Sequence, residues 1–260
     1  MPLYLVGAGI SSEYLSLRAI QLIGSADVVV IDAYTSIAPG VGEELVKALN
    51  SRARVVHAPR RMLEEEARGI IEEARSRNVV VLVPGDPLAA TAHAALLVEA
   101  LKAGVRAEVV PGVSGILASV TAIGLQVYRL GKVVTLVYPQ EGFKPYSTVE
   151  AVWDTYRRNM HTLVLLDLKL EEGIAMTVPE AVRILLELED ELARREGAEP
   201  VVARAQMVGV ARAGLPDQKC VYGDPDKVMG GRYPPPPHSL VVLAPRLHPL
   251  EEEALNLLCA

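Results

Sequence analysis

Apolar runs alternate with amphipathic stretches through the first 110 residues. Leu3–Val6 is apolar and stops at Gly7-Ala8-Gly9, and Leu15–Ile23 then shows helical spacing. Val28–Ile31 is a second apolar run ending at Asp32, followed by a helical Glu43–Leu49 and a strand-like Arg54–His57. Leu63–Arg77 reads as one charged helix, with Glu64–Arg68 and Glu73–Arg77 placed four apart. Val79–Val83 ends in Pro84-Gly85-Asp86-Pro87; Ala92–Ala103 is a helix closed by Gly104, and Glu108–Val110 is a further strand. Continuous apolar runs separated by helices predict a parallel sheet covered on both faces, hence an α/β fold.

The pattern changes after residue 112. Val133–Val137, Thr162–Leu168, Val201–Gln206 and Ser239–Ala244 read as strands. A loop rich in Pro, Gly and Tyr (Tyr138–Ser147) precedes the helix Val149–Asn159. Thr177-Val178-Pro179-Glu180 has capping-box spacing and opens the helix Glu180–Arg195. Residues 214–237 are dense in turn formers and end in four prolines. The break predicts two α/β domains, 1–112 and 113–260.

Composition narrows the function. The chain has 260 residues, 50% apolar and 22% charged, with one Phe and one Trp, so its cores are aliphatic. A net charge of −6 argues against a nucleic-acid-coating surface, which needs clustered Lys and Arg. Val109–Tyr128 carries no charge and is long enough to span a bilayer, but its Gly, Ser and Thr mark it as protein interior. No secretory leader is visible, and a cytoplasmic protein is expected. Cys220 and Cys259 are not in a C-x-x-C pair, and the five histidines are scattered, so no metal is expected. Arg outnumbers Lys 19 to 7, and Asn and Gln are scarce, which suits a heat-adapted protein.

Five segments are candidates for chemistry. Gly7-Ala8-Gly9, with Asp32 after the second strand, permits a dinucleotide reading, although Ser12 replaces the third glycine; a tight turn explains it as well. Pro84-Gly85-Asp86-Pro87 sits where ligands of open α/β sheets bind, beyond the carboxyl end of a strand. Asp86 there can hold a ligand's polar groups or cap the next helix. Pro111–Ser119 is dense in small residues, suited to close packing or to a ligand lying on main chain. The others are Val210–Gly214, and His238 after its prolines. Motifs for serine hydrolases, P-loops and zinc proteases are absent.

Together these segments resemble a known family. Tyr4-Leu-Val-Gly-Ala-Gly-Ile10 and Pro84-Gly-Asp-Pro-Leu88 look like the class III methyltransferases of the tetrapyrrole methylase fold, which use S-adenosylmethionine. The finer pattern is similar to the diphthine synthases. It comprises Asp32-Ala-Tyr-Thr-Ser36, Gly85–His93, Gly124–Tyr128, His161–Lys169, Met176-Thr177, Ala211–Gly214 and Pro237-His238. The resemblance covers nearly the whole chain. It implies trimethylation of the amino group of 2-(3-amino-3-carboxypropyl)histidine on translation elongation factor 2, giving diphthine. A corrin methyltransferase of the same fold and a nicotinamide-dependent dehydrogenase are the alternatives.

The resemblance also implies a site in a cleft between the two domains. Its cofactor contacts would be Ile10, Asp86, Ala89, Gly115, Ile116, Leu166, Ala213 and His238. Family members often carry a larger β-branched residue at Ala89 and a Ser at Gly115, so the contact at 115 becomes a main-chain one here. Tyr34, Thr35, Ser36, Thr91 and His93 are candidates for the substrate side. No residue is expected to act as an essential general base, and a homodimer is implied. Tyr138–Ser147 and Gly214–Pro237 are candidate lips for the protein substrate. Arg60-Arg61 is a candidate partner contact, with a solvated loop as the plainer reading.

Overall fold

The computed structural model describes residues 1–259. The chain divides into two compact units, one of Met1–Gly115 with Lys169–Gly173, the other of Ile116–Leu168 with Ile174–Ala260.

The first unit holds a five-stranded sheet of β1 (Leu3–Gly7), β2 (Val28–Asp32), β3 (Arg54–Ala58), β4 (Val79–Val83) and β5 (Ala107–Val110). Its order is β3-β2-β4-β1-β5, and every pairing is parallel. Helices α1 (Leu17–Ser25), α2 (Glu43–Leu49), α3 (Arg60–Glu64), α4 (Arg68–Glu73) and α5 (Ala94–Lys102) connect the strands. β2 and β4 are buried at every position, and alternate residues feed two separate cores. That is why these strands read as unbroken apolar runs rather than alternating ones.

The expected single helix over Leu63–Arg77 is two helices. The N–H groups of Glu65 and Glu66 both donate to the Arg61 carbonyl, which closes α3, and α4 restarts at Arg68. The Tyr34 hydroxyl donates to Glu64 (2.9 Å), so a tertiary contact holds α3 in place. Glu73–Arg77 forms the expected ion pair, while Glu64 is paired to Arg60 instead of Arg68.

The second unit begins with α6 (Gly115–Thr121), whose first residue still belongs to the first unit. Its sheet contains β6 (Leu130–Leu136), β7 (His161–Leu166), β10 (Met207–Ala211), β11 (Lys219–Gly223) and β12 (His238–Val242), in the order β11-β10-β12-β7-β6. A two-stranded turn of β8 (Leu168–Lys169) and β9 (Ile174–Ala175) follows β7. Only β6 and β7 pair in parallel; β7-β12, β12-β10 and β10-β11 are antiparallel. Helices α7 (Tyr146–Arg157), α8 (Val178–Glu196), α9 (Pro225–Met229) and α10 (Pro249–Leu258) complete the unit. The Thr177–Glu180 capping box forms as expected. Among the described residues no helix is long and apolar enough to cross a membrane.

Two further expectations fail here for physical reasons. Val201–Gln206 is not a strand. The amides of Val201, Val202 and Ala203 all donate to the buried Glu189 carboxylate at 2.7–2.9 Å, and the Trp153 indole joins them at 2.6 Å. Consecutive amides converging on one carboxylate need a turn of 3-10 helix, so the strand starts later, at Met207. The turn-rich stretch 214–237 hides β11 and α9, the latter capped by the Asp224 carboxylate accepting from Lys227 N–H (2.8 Å). Cys220 on β11 and Cys259 after α10 are joined in a disulfide, which their sequence spacing gave no reason to expect.

Candidate active site

In the first unit the candidate residues cluster at the carboxyl ends of β1, β4 and β5. A seam of glycines makes that possible. Gly9 and Gly85 exchange both main-chain hydrogen bonds, at 3.1 and 2.8 Å, with φ of +73° and +74°. A Cβ on Gly7 would lie 2.5 Å from Gly112 N, and one on Gly112 would lie 2.2 Å from Gly85 O. The Gly-x-Gly turn is therefore main chain packed on main chain. Its amide at Gly9 is spent on Gly85, which removes the main reason for reading it as a pyrophosphate loop.

Asp86 does not cap a helix; α5 starts at Ala94, with His93 at its N-cap. Its carboxylate accepts from Leu88 N–H at 3.0 Å and from Gly112 N–H at 3.2 Å, so it ties the loop after β4 to the loop after β5. Gly115 lies beside this seam. A Cβ there would touch only Ile10, at 4.0 Å, so Ile10, Asp86 and Gly115 border one open patch of main chain, with Ala89 following on the same loop.

The second unit holds its own candidates in a row. The registers place Leu166 at the end of β7, His238 at the start of β12 and Ala211 at the end of β10 on adjacent strands at one edge of the sheet. Ala213 follows two residues on, and both it and Ile116 pack against the same apolar cluster. Arg212 between them donates its N–H to Pro237 O (2.9 Å), while its guanidinium sits 2.6 Å from Asp217. His238 uses both ring nitrogens internally. Nδ1 accepts from Val178 N–H at 3.2 Å, and Nε2 donates to Pro234 O at 2.7 Å. A lone pair on Nδ1 requires a neutral ring, and burial holds its pKa below the usual histidine value. The ring is thus locked by its own unit, and its nitrogens are not available as ligand donors.

The substrate-side candidates lie in the first unit. Asp32 Oδ1 accepts from the N–H groups of Tyr34 (2.9 Å) and Thr35 (3.0 Å), folding the chain after β2 into a turn that continues to Ser36. Tyr34 is buried; the Arg60 guanidinium covers its ring at 5.2 Å. Burial and the Glu64 carboxylate push the Tyr34 phenol well above its ordinary pKa, so it remains a hydrogen-bond donor. Thr91 Oγ1 donates to Pro87 O at 2.5 Å. His93 is buried, with Nε2 3.3 Å from Asp32 Oδ2. Burial raises the Asp32 pKa, but His93, Thr35 and the two turn amides outweigh it and hold the carboxyl below its usual range. Sequence reasoning missed the Asp32–His93 pair and the Glu64 and Arg60 clasp on Tyr34. These are contacts across tens of residues that no periodicity encodes.

Residues 2–226 match the profile of the family described as Tetrapyrrole (Corrin/Porphyrin) Methylases. A diphthine synthase of Staphylothermus marinus is 42% identical over 99% of this chain and 93% of its own length. A human diphthine methyl ester synthase is 33% identical over 98% of this chain and 94% of its own. Among solved structures, a diphthine synthase superposes with a TM-score of 0.87 at 30% identity, covering 100% of this chain and 96% of that one. Full-length sequence similarity and a shared fold thus agree: the chain belongs to the tetrapyrrole methylase family and is a methyltransferase.

Proposed function

We propose that the protein is a diphthine synthase, transferring methyl groups from S-adenosylmethionine to the amino group of 2-(3-amino-3-carboxypropyl)histidine on translation elongation factor 2, three times, to give diphthine. The observation that carries this reading is the 42% identity to a diphthine synthase along 99% of the chain. A corrin substrate fits the family description, but the full-length relatives are named for diphthine chemistry.

The residues present suit the donor. When bound, S-adenosylmethionine supplies a methyl already activated on a sulfonium. The open patch bordered by Ile10, Ala89 and Gly115 offers main chain and apolar contact, and Asp86 retains lone pairs for ligand hydroxyls after serving Leu88 and Gly112. Leu166, Ile116 and Ala213 are apolar, and a neutral His238 adds no positive charge that would repel a sulfonium. The work of these residues is alignment and water exclusion, which supply ~7–11 kcal/mol in well-oriented reactions. The acceptor must be a neutral amine to attack, and its proton can pass to water. The third transfer uses a tertiary amine and releases no proton, so no residue is assigned as an essential base.

The same reading makes the enzyme cytoplasmic and homodimeric, with a protein substrate rather than nucleic acid or membrane. A disulfide is compatible with that compartment in a heat-adapted cell, where intracellular proteins carry them. The test is mass spectrometry of elongation factor 2 bearing the unmethylated side chain, after incubation with enzyme and donor. Three methyl increments are expected; a fourth would indicate ester formation. No increment, with methylation of a precorrin instead, would overturn the reading.

A further inference from the structure

Four polar atoms of one buried cluster in the first unit make no aligned hydrogen bond: Asp32 Oδ2, Thr35 Oγ1, and Nδ1 and Nε2 of His93. The side chains of Asp32 and His93 are fully buried. Buried polar groups are nearly always paired, and leaving them unpaired costs stability. This cluster stands at the carboxyl end of β2 in a parallel sheet, the edge where such folds bind ligands. Its walls are the Asp32–Ser36 turn and the Pro87–His93 segment. The second contains Ala90 at φ +58°, a conformation that disfavours any residue with a side chain. Polar groups that face only one another, His93 Nε2 lying 3.3 Å from Asp32 Oδ2 without an aligned hydrogen bond, and backbone strain therefore meet at one place.

We propose that Asp32, Thr35 and His93 form a polar subsite completed from outside by an α-amino-carboxylate head group. The proposal rests on the methyltransferase reading above. The chemistry is complementary: the Asp32 carboxylate accepts from an amine, and the Thr35 hydroxyl and a His93 ring N–H donate to a carboxylate. Two molecules in the reaction carry such a head, the amino-carboxypropyl group of the acceptor and the methionine end of the donor. Because the cluster is closed, the head group enters only with a shift of the Tyr34–Ser36 turn or of the strained segment.

The discriminating variant is Thr35→Val, which keeps the side chain's shape and deletes the hydroxyl. A hydroxyl whose role is confined to the Asp32 cluster predicts unchanged turnover, whatever its effect on thermal stability. The subsite predicts a loss of about tenfold or more in one of two readouts, with Thr35→Ser restoring the loss. A higher KM for elongation factor 2 with unchanged S-adenosylhomocysteine affinity in calorimetry assigns the subsite to the acceptor. A weakened S-adenosylhomocysteine affinity assigns it to the donor. Neither change in Thr35→Val or in His93→Gln would overturn the proposal. Failure of the functional reading is seen separately, as a wild-type enzyme that does not methylate the factor, and the proposal falls with it.

Discussion

Each unit buries a histidine against a carboxylate, at nearly the same distance: His161–Glu251 at 3.2 Å and His93–Asp32 at 3.3 Å, all four side chains fully enclosed. Their surroundings differ. His161 Nδ1 accepts from Ala244 N–H at 3.0 Å, so the ring is neutral and Nε2 donates to Glu251. Glu251 also accepts from Gln126 N–H, from His248 N–H and from the Arg129 guanidinium, which provides the counter-charge. Arg129 in turn donates to the carbonyls of Asn159 and Arg246. Every group is paired, and the network anchors α10 beside the second sheet. The Asp32–His93 pair has no such completion. Burial and proximity therefore do not assign a role; the satisfaction of donors and acceptors separates a scaffold from a candidate ligand site.

The largest expected effect breaks the scaffold. Glu251→Ala strands a mostly buried Arg129 and a buried His161, and should cost about 3–5 kcal/mol in chemical denaturation. A loss near that of a surface substitution would contradict the anchoring role. Next, removing the disulfide with Cys220→Ser and Cys259→Ser should cost about 2–4 kcal/mol, because it frees the end of the same helix. Thermal unfolding with and without reductant checks this, and an unchanged midpoint would refute it.

Acidification should follow in two stages. Burial holds the folded pKa of His161 and His238 below 6.5, so below that pH the unfolded chain binds protons the folded one refuses, and stability falls. The folded carboxyls of Glu251 and Asp32 titrate below 4.5 and 3.8; their stabilisation is present above those values and is lost as pH drops through the folded ones. Each unit of depression is worth about 1.4 kcal/mol. His161→Phe should weaken the first stage in a stability–pH series, and an unaltered profile would show that His161 is not its source.

The smallest stability effect is expected in the first unit. Asp32→Asn keeps an oxygen for the Tyr34 and Thr35 amides, and His93→Gln removes a ring with no aligned hydrogen bond, so each should cost about 1 kcal/mol or less. A cost equal to that of Glu251→Ala would erase the distinction between the two pairs.

Much of the fold was legible because burial on both faces leaves unbroken apolar runs. β2 and β4 in the first unit, and the capped start of α8, are plain in the residues. The strand expected at Val201–Gln206 was lost to Glu189, twelve and more residues away, whose carboxylate outcompetes a sheet partner for three amides. The Leu63–Arg77 helix breaks where the Glu65 and Glu66 amides share the Arg61 carbonyl, beside a contact from Tyr34 to Glu64 that its own periodicity does not contain. Motif spacing marked Gly7, Gly85, Asp86 and His238, but not what each does. Asp86 serves main chain, and His238 is locked on Val178 and Pro234.

By itself, then, the sequence determined the α/β class, the aliphatic cores and the strand-end positions of the candidate residues, since these follow from local periodicity and from glycines and prolines that restrict the backbone. Only the tertiary structure decided which polar groups are satisfied. Hydrogen-bond partners such as Glu251 for His161 lie far off along the chain, and pairing or orphaning them depends on where folding brings them.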